Sequence, residues 1–177
     1  MSKKKFLVIV DPWLVPSPEM AKEFPMLASD SNIQCQLIYN QLSRLKLLFD
    51  DIIVDDSGYP SHPLFDELPR VRLSWSNEGL LESEQYLQDK QDWDMWLCGF
   101  HYGRCIHGKI IDVIKEHGWD YSRFHIIQNL SWFFPRDLPY YDWYPKLKEE
   151  LPWNCDIEII QNIKEYHWNY VEKLIEL

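Results

Sequence analysis

Residues 98–109 read CGFHYGRCIHGK, and they follow the apolar run WDMWL (93–97). A strand that reaches Gly99, passes through His101, Tyr102 and Gly103, and hands Cys105 to a helical pattern is the strand-to-helix turn of a parallel sheet. The helical pattern is carried by Ile106, Ile110, Ile111, Val113 and Ile114, and Gly118 closes it as a C-terminal cap. Glycines at 99 and 103 permit the close backbone approach that such a turn needs.

Working outward, apolar runs alternate with amphipathic stretches. FLVIV (6–10) is a continuous run of buried-strand type, followed by the proline-rich loop PWLVPSP. Ile33, Leu37, Ile38, Leu42, Leu45 and Leu48 recur at helical spacing between Asn32 and Phe49, with Asp30, Ser31 or Asn32 available as the N-cap. DIIVDD (51–56) reads as a second strand, VRLSW (71–75) as a third and EGLLESEQYLQ (78–88) as a second helix. WDMWLCG (93–99) is the fourth strand, FHIIQNL (124–130) the fifth and IEIIQ (157–161) the sixth, with a final helix running to Leu177. This alternation predicts one α/β domain over residues 1–177, a Rossmann-like three-layer α/β/α sandwich with a mainly parallel sheet of about six strands.

Composition narrows the function classes. The chain has 177 residues, 46% hydrophobic and 26% charged, which suits a soluble globular domain. Its net charge of −10 repels a polyanion, so a nucleic-acid partner is not expected despite nine Trp, ten Tyr and eight Phe. The N-terminal KKKFLVIVD holds an apolar run too short for a signal peptide or a membrane span, which predicts a cytoplasmic protein with no membrane partner. The four cysteines, Cys35, Cys98, Cys105 and Cys155, form no CxxC, and reduced thiols are expected. His62 with Asp55, Asp56 or Asp66 falls short of a preplaced ligand set, so neither a metal nor another cofactor is expected.

In parallel sheets ligands bind at the carboxyl ends of the strands, and two of those ends carry reactive groups here. The first strand ends at Asp11, and the fourth leads to Cys105. A thiol in the first turn of a helix meets unpaired N–H groups and the positive end of the dipole, which favour the thiolate and can hold an oxyanion. A carboxylate on a neighbouring strand end can take the thiol proton and pass it to a leaving group. Cys98, inside the strand, reads as a small buried hydrophobe.

VIVD at 8–11, Gly99, Cys105 six residues later and Gly118 together resemble the isochorismatase-like cysteine hydrolases, which include the nicotinamidases. The resemblance implies that Asp11 is the general acid/base and Cys105 the nucleophile of a hydrolase acting on a small amide-like carbonyl substrate through a thioester. The family's third catalytic residue is a lysine at the end of the third strand. This sequence has VRLSW there, leaving Arg70, Arg72 or Ser74 as the equivalent, of which Arg72 is chosen here for its charge and register. Trp13, His101, Tyr102 and Gly103 are the expected substrate-binding residues. The alternative is a catalytically silent member acting as a ligand-binding or protein-interaction module. Seven aromatics between Trp132 and Tyr144 either cap the pocket or form a subunit contact, and composition favours a homo-oligomer.

Overall fold

A computed structural model describes residues 3–13, 25–55, 61–73, 77–100 and 105–132. Within it five strands form one sheet in the order β3-β2-β1-β4-β5, and every pairing is parallel. The strands are β1 (Lys5–Val10), β2 (Asp51–Asp55), β3 (Arg70–Val71), β4 (Asp94–Phe100) and β5 (Phe124–Trp132), and the helices are α1 (Pro25–Leu48), α2 (Asn77–Gln88) and α3 (Cys105–His117). The chain is therefore an α/β fold.

The continuous apolar run of β1 is explained by burial on both faces, since Phe6 to Val10 are all fully buried. Leu7 and Ile9 join Ile52, Val54, Cys98 and Phe100 against Cys35, Ile38, Leu42 and Leu45 of α1. The alternate residues Phe6, Val8 and Val10 join Ile53, Met95 and Leu97 against Leu87 of α2 and Ile106, Ile110 and Val113 of α3. A one-residue slip of β1 would exchange the two sets, so packing on both sides fixes the register Val8↔Ile53 and Val8↔Leu97.

Boundaries depart from expectation where tertiary contacts outweigh local pattern. Helix α1 begins at Pro25, not beside Asn32, because proline at the first helical position needs no N–H partner; Asp30, Ser31 and Asn32 then lie inside the helix. The expected five-residue third strand is only Arg70–Val71. Beyond it the chain leaves the ladder, and the Leu73 N–H donates to the Asp55 side chain at 2.9 Å. Helix α3 starts at Cys105 and closes as expected, with Gly118 at φ +66° and its N–H donating to the Ile114 carbonyl at 3.0 Å. The expected sixth strand (157–161), the final helix and the aromatic segment from 133 to 144 lie outside the described residues. Among the described residues no helix is long and apolar enough to cross a membrane.

The amino edge of the sheet is built from rings under cations. Lys4 Nζ lies 5.0 Å from the Trp93 ring centre, Lys90 Nζ 3.7 Å from that of Tyr86, and the Arg123 guanidinium 3.7 Å from that of Trp119. Trp96 stacks on His125 at 4.5 Å. The Tyr86 hydroxyl donates to Asp51 at 2.7 Å, which with burial holds its pKa above the ordinary phenol value.

Gly99 is the tightest steric point. Its φ is +105°, and a Cβ there would stand 2.3 Å from the Val10 carbonyl oxygen, a backbone atom of the adjoining strand that cannot swing away. Gly99→Ala should therefore lower unfolding stability by about 3 kcal/mol or more, read as a drop in the urea midpoint with an unchanged m-value. An alanine variant as stable as the parent would contradict this close approach.

Candidate active site

Strand order reverses between β1 and β4, the position at which open α/β sheets form their ligand crevice. Because the strands are parallel, Asp11 after β1 and Cys105 after β4 emerge at the same edge. Both expected reactive residues thus belong to the carboxyl edge.

Asp11 is 3% exposed and adopts φ +48°, a left-handed conformation that aspartate tolerates better than most residues. It turns the chain sharply: the Trp13 N–H donates to the Asp11 carbonyl at 2.7 Å. The segment is then tied to the chain after β2, through a bridge between Trp13 and Ser61 and a 2.6 Å bond from the His62 N–H to the Pro12 carbonyl. Trp13, an expected pocket residue, is half-buried beside this strap.

The centre of the edge is a group that the sequence reading missed. Lys109 is 1% exposed, and its Nζ lies 3.1 Å from Oδ2 of Asp55, itself 1% exposed. The same ammonium donates to the Leu73 carbonyl at 2.8 Å, while Asp55 Oδ1 accepts the Leu73 N–H at 2.9 Å. One carboxylate, one ammonium and the backbone N–H and carbonyl of Leu73 thereby close a ring joining β2, α3 and the segment after β3. Burial pushes the Asp55 carboxyl up to about 6; the Lys109 charge opposes that rise and the Asp11 charge adds to it. Asp11 is thus electrostatically coupled to the pair.

Lys109 follows Cys105 by four residues, one helical turn, so the two share a face of α3. Cys105 is half-buried in the first turn of that helix, which carries no acidic residue. The other described cysteines differ. Cys35 and Cys98 are fully buried, and burial pushes the Cys35 thiol up to about 12 and raises that of Cys98 as well, so both are packing residues. Cys98 is buried within β4, as its place in the strand predicts.

Arg72, chosen from the sequence as the site cation, is half-buried one residue past β3, between Val71 and Leu73. It is Lys109, on a helix and not on the third strand, that holds Asp55. A signal for it existed: Lys109 stands three residues after Ile106 and immediately before Ile110, inside the buried stripe of α3. A lysine on such a stripe needs a partner, and Asp55 is that partner.

The remaining expected residues have separate places. His101, Tyr102 and Gly103, between β4 and α3, lie outside the described residues. His62 caps a short 3₁₀ turn (Pro63–Phe65), its Nδ1 accepting the Leu64 N–H at 3.3 Å, and burial lowers its pKa. Among the described residues no three His, Cys, Asp or Glu converge as a metal would require. No family model, curated protein or solved structure matches the chain.

Two outcomes follow from the buried pair. Lys109→Met leaves Asp55 buried without its ammonium and should cost about 3–5 kcal/mol in urea unfolding, part of which returns in the Lys109→Met/Asp55→Asn double variant. Asp55 also sets a pH dependence. Its folded pKa of about 6 exceeds the unfolded value of 3.8, so its contribution to stability is fully present only well below that unfolded value and is lost as pH rises through 6. The stability of the parent relative to Asp55→Asn should fall by about 2 kcal/mol between pH 4 and 7. A pH-independent difference would contradict the raised carboxyl.

Proposed function

We propose that the chain is a cysteine-dependent hydrolase of isochorismatase type, built as a three-layer α/β/α sandwich, that cleaves a small amide-like carbonyl compound. The observation that carries this reading is the common face of α3 on which Cys105 and Lys109 lie one turn apart, with Lys109 locked to Asp55 beside Asp11 where the strand order reverses.

Each group has a role in that chemistry. Cys105 gives its proton to Asp11, and the thiolate attacks the carbonyl carbon, the electron pair moving onto oxygen. The N–H groups of the first turn of α3 stabilise that oxyanion. When the tetrahedral centre collapses, the C–N bond breaks, the amine leaves with the proton held by Asp11, and a thioester to Cys105 remains. Water, deprotonated by Asp11, then releases the acid and restores the thiol. Lys109 supplies the positive charge that Arg72 was expected to supply, offsetting the repulsion between a carboxylate and a developing thiolate. Trp13 offers a ring face to a planar substrate.

A second reading, a catalytically silent fold that binds a ligand, is favoured by the packing of Cys105 against the core on the α3 side of the sheet.

Alkylation separates the two. Under the hydrolase reading, Cys105 reacts with iodoacetamide at pH 7 about tenfold faster than N-acetylcysteine while Cys35 and Cys98 stay unlabelled, and Cys105→Ser abolishes ammonia release from any amide the parent cleaves. If Cys105 is no faster than the free thiol, and a panel of aromatic and carbamoylated amides is left intact, the silent reading holds.

A further inference from the structure

Asp11, Asp55 and Lys109 place two carboxylates and one ammonium in nearly complete burial, a group with a net charge of −1 when all three are ionised. Such a group relieves its excess charge by holding a proton. The charged groups acting on Asp55 are Asp11 at the end of β1 and Lys109 from α3; Cys105 lies one turn from Lys109 on the same face of that helix, and Arg72 adjoins Leu73, whose backbone N–H and carbonyl bind one member of the pair each. The bond from the Leu73 N–H keeps Asp55 oriented in either state, so the proton changes charge and not position.

We propose that Asp55 is a positioning residue that acts through Lys109, and that its protonation sets the charge presented to the Cys105 thiol. With Asp55 ionised, the Lys109 charge is divided between two carboxylates, and the net negative group opposes a thiolate. With Asp55 protonated, the Lys109 charge balances Asp11 alone, the group is neutral, and the thiolate forms more readily. The site is thereby sensitised in mildly acid conditions. This inference rests on the reading of Cys105 as the reactive thiol, and it gives Asp55 a part in the chemistry beyond holding α3 to the sheet.

The test is the pH profile of Cys105 alkylation by iodoacetamide, followed by peptide mass spectrometry in the parent, Asp55→Asn and Lys109→Met, which needs no substrate. The parent should rise with pH less steeply than a single thiol between about pH 5 and 7, because the gain in thiolate is opposed as Asp55 ionises. Asp55→Asn should react roughly three- to tenfold faster at pH 7 and follow a single ionisation, whereas Lys109→Met should react slower by a similar factor. Opposite signs are the signature of charge, since a loosened site would shift both variants the same way. Carbon-13 carboxyl titration of the parent guards against variants that fail to fold. The Asp55 resonance should titrate well above the ordinary carboxylate range. A reactive Cys105 that responds to both substitutions in one direction, or an Asp55 that titrates as an ordinary carboxylate, overturns this inference alone. A Cys105 unreactive in all three proteins overturns the hydrolase reading with it.

Discussion

An ammonium group withdrawn from water is the constraint to which the carboxyl edge of this protein answers. Desolvating Lys109 costs several kcal/mol, so the structure must surround it with oxygens, and it does so with Asp55 and the Leu73 carbonyl. Those oxygens come from β2 and from the chain after β3, which obliges α3 to sit against both. The shortness of β3 follows as well. Leu73 cannot continue the ladder while its N–H and carbonyl serve the buried pair. A single ionic contact therefore sets a strand end and a helix position.

Much of this architecture is legible in the sequence because it rests on local periodicity. FLVIV declares a strand buried on both faces, and the stripe Ile106, Ile110 and Val113 with Gly118 behind it declares a helix and its end. The placement of Asp11 and Cys105 is legible too, since residues at the ends of parallel strands must share an edge once the strand order is fixed. What was not legible depended on partners distant in the chain. Nothing near Lys109 in sequence names Asp55, 54 residues earlier, whereas Arg72 is picked out by a charge beside a strand end. The start of α1 at Pro25 was hidden for a local reason, as a good capping sequence at Asp30 to Asn32 competes with a proline that suits the first helical position.

The three described cysteines show how far environment outranks residue type. Cys35 and Cys98 meet across the face packed by α1, where burial holds both thiols neutral and makes them part of the core. Cys105 stands at a helix start, half-open and one turn from a lysine. The net charge of −10 gives that lysine added weight, because 18 cations face 28 acidic residues and this one is spent in the interior.

The distribution of indoles carries a spectroscopic consequence. Trp93, Trp96 and Trp119 lie at the amino edge, among the rings and cations described there, while Trp13 borders the opposite edge beside Asp11. Trp132 ends β5 at that same carboxyl edge, so among the described tryptophans the two edges of the sheet carry separate emitters. Emission from the amino-edge set follows the integrity of the sheet, and the part of the spectrum that Trp13→Phe removes follows the strap beside Asp11, so a difference spectrum between parent and variant separates an event at the carboxyl edge from loss of structure.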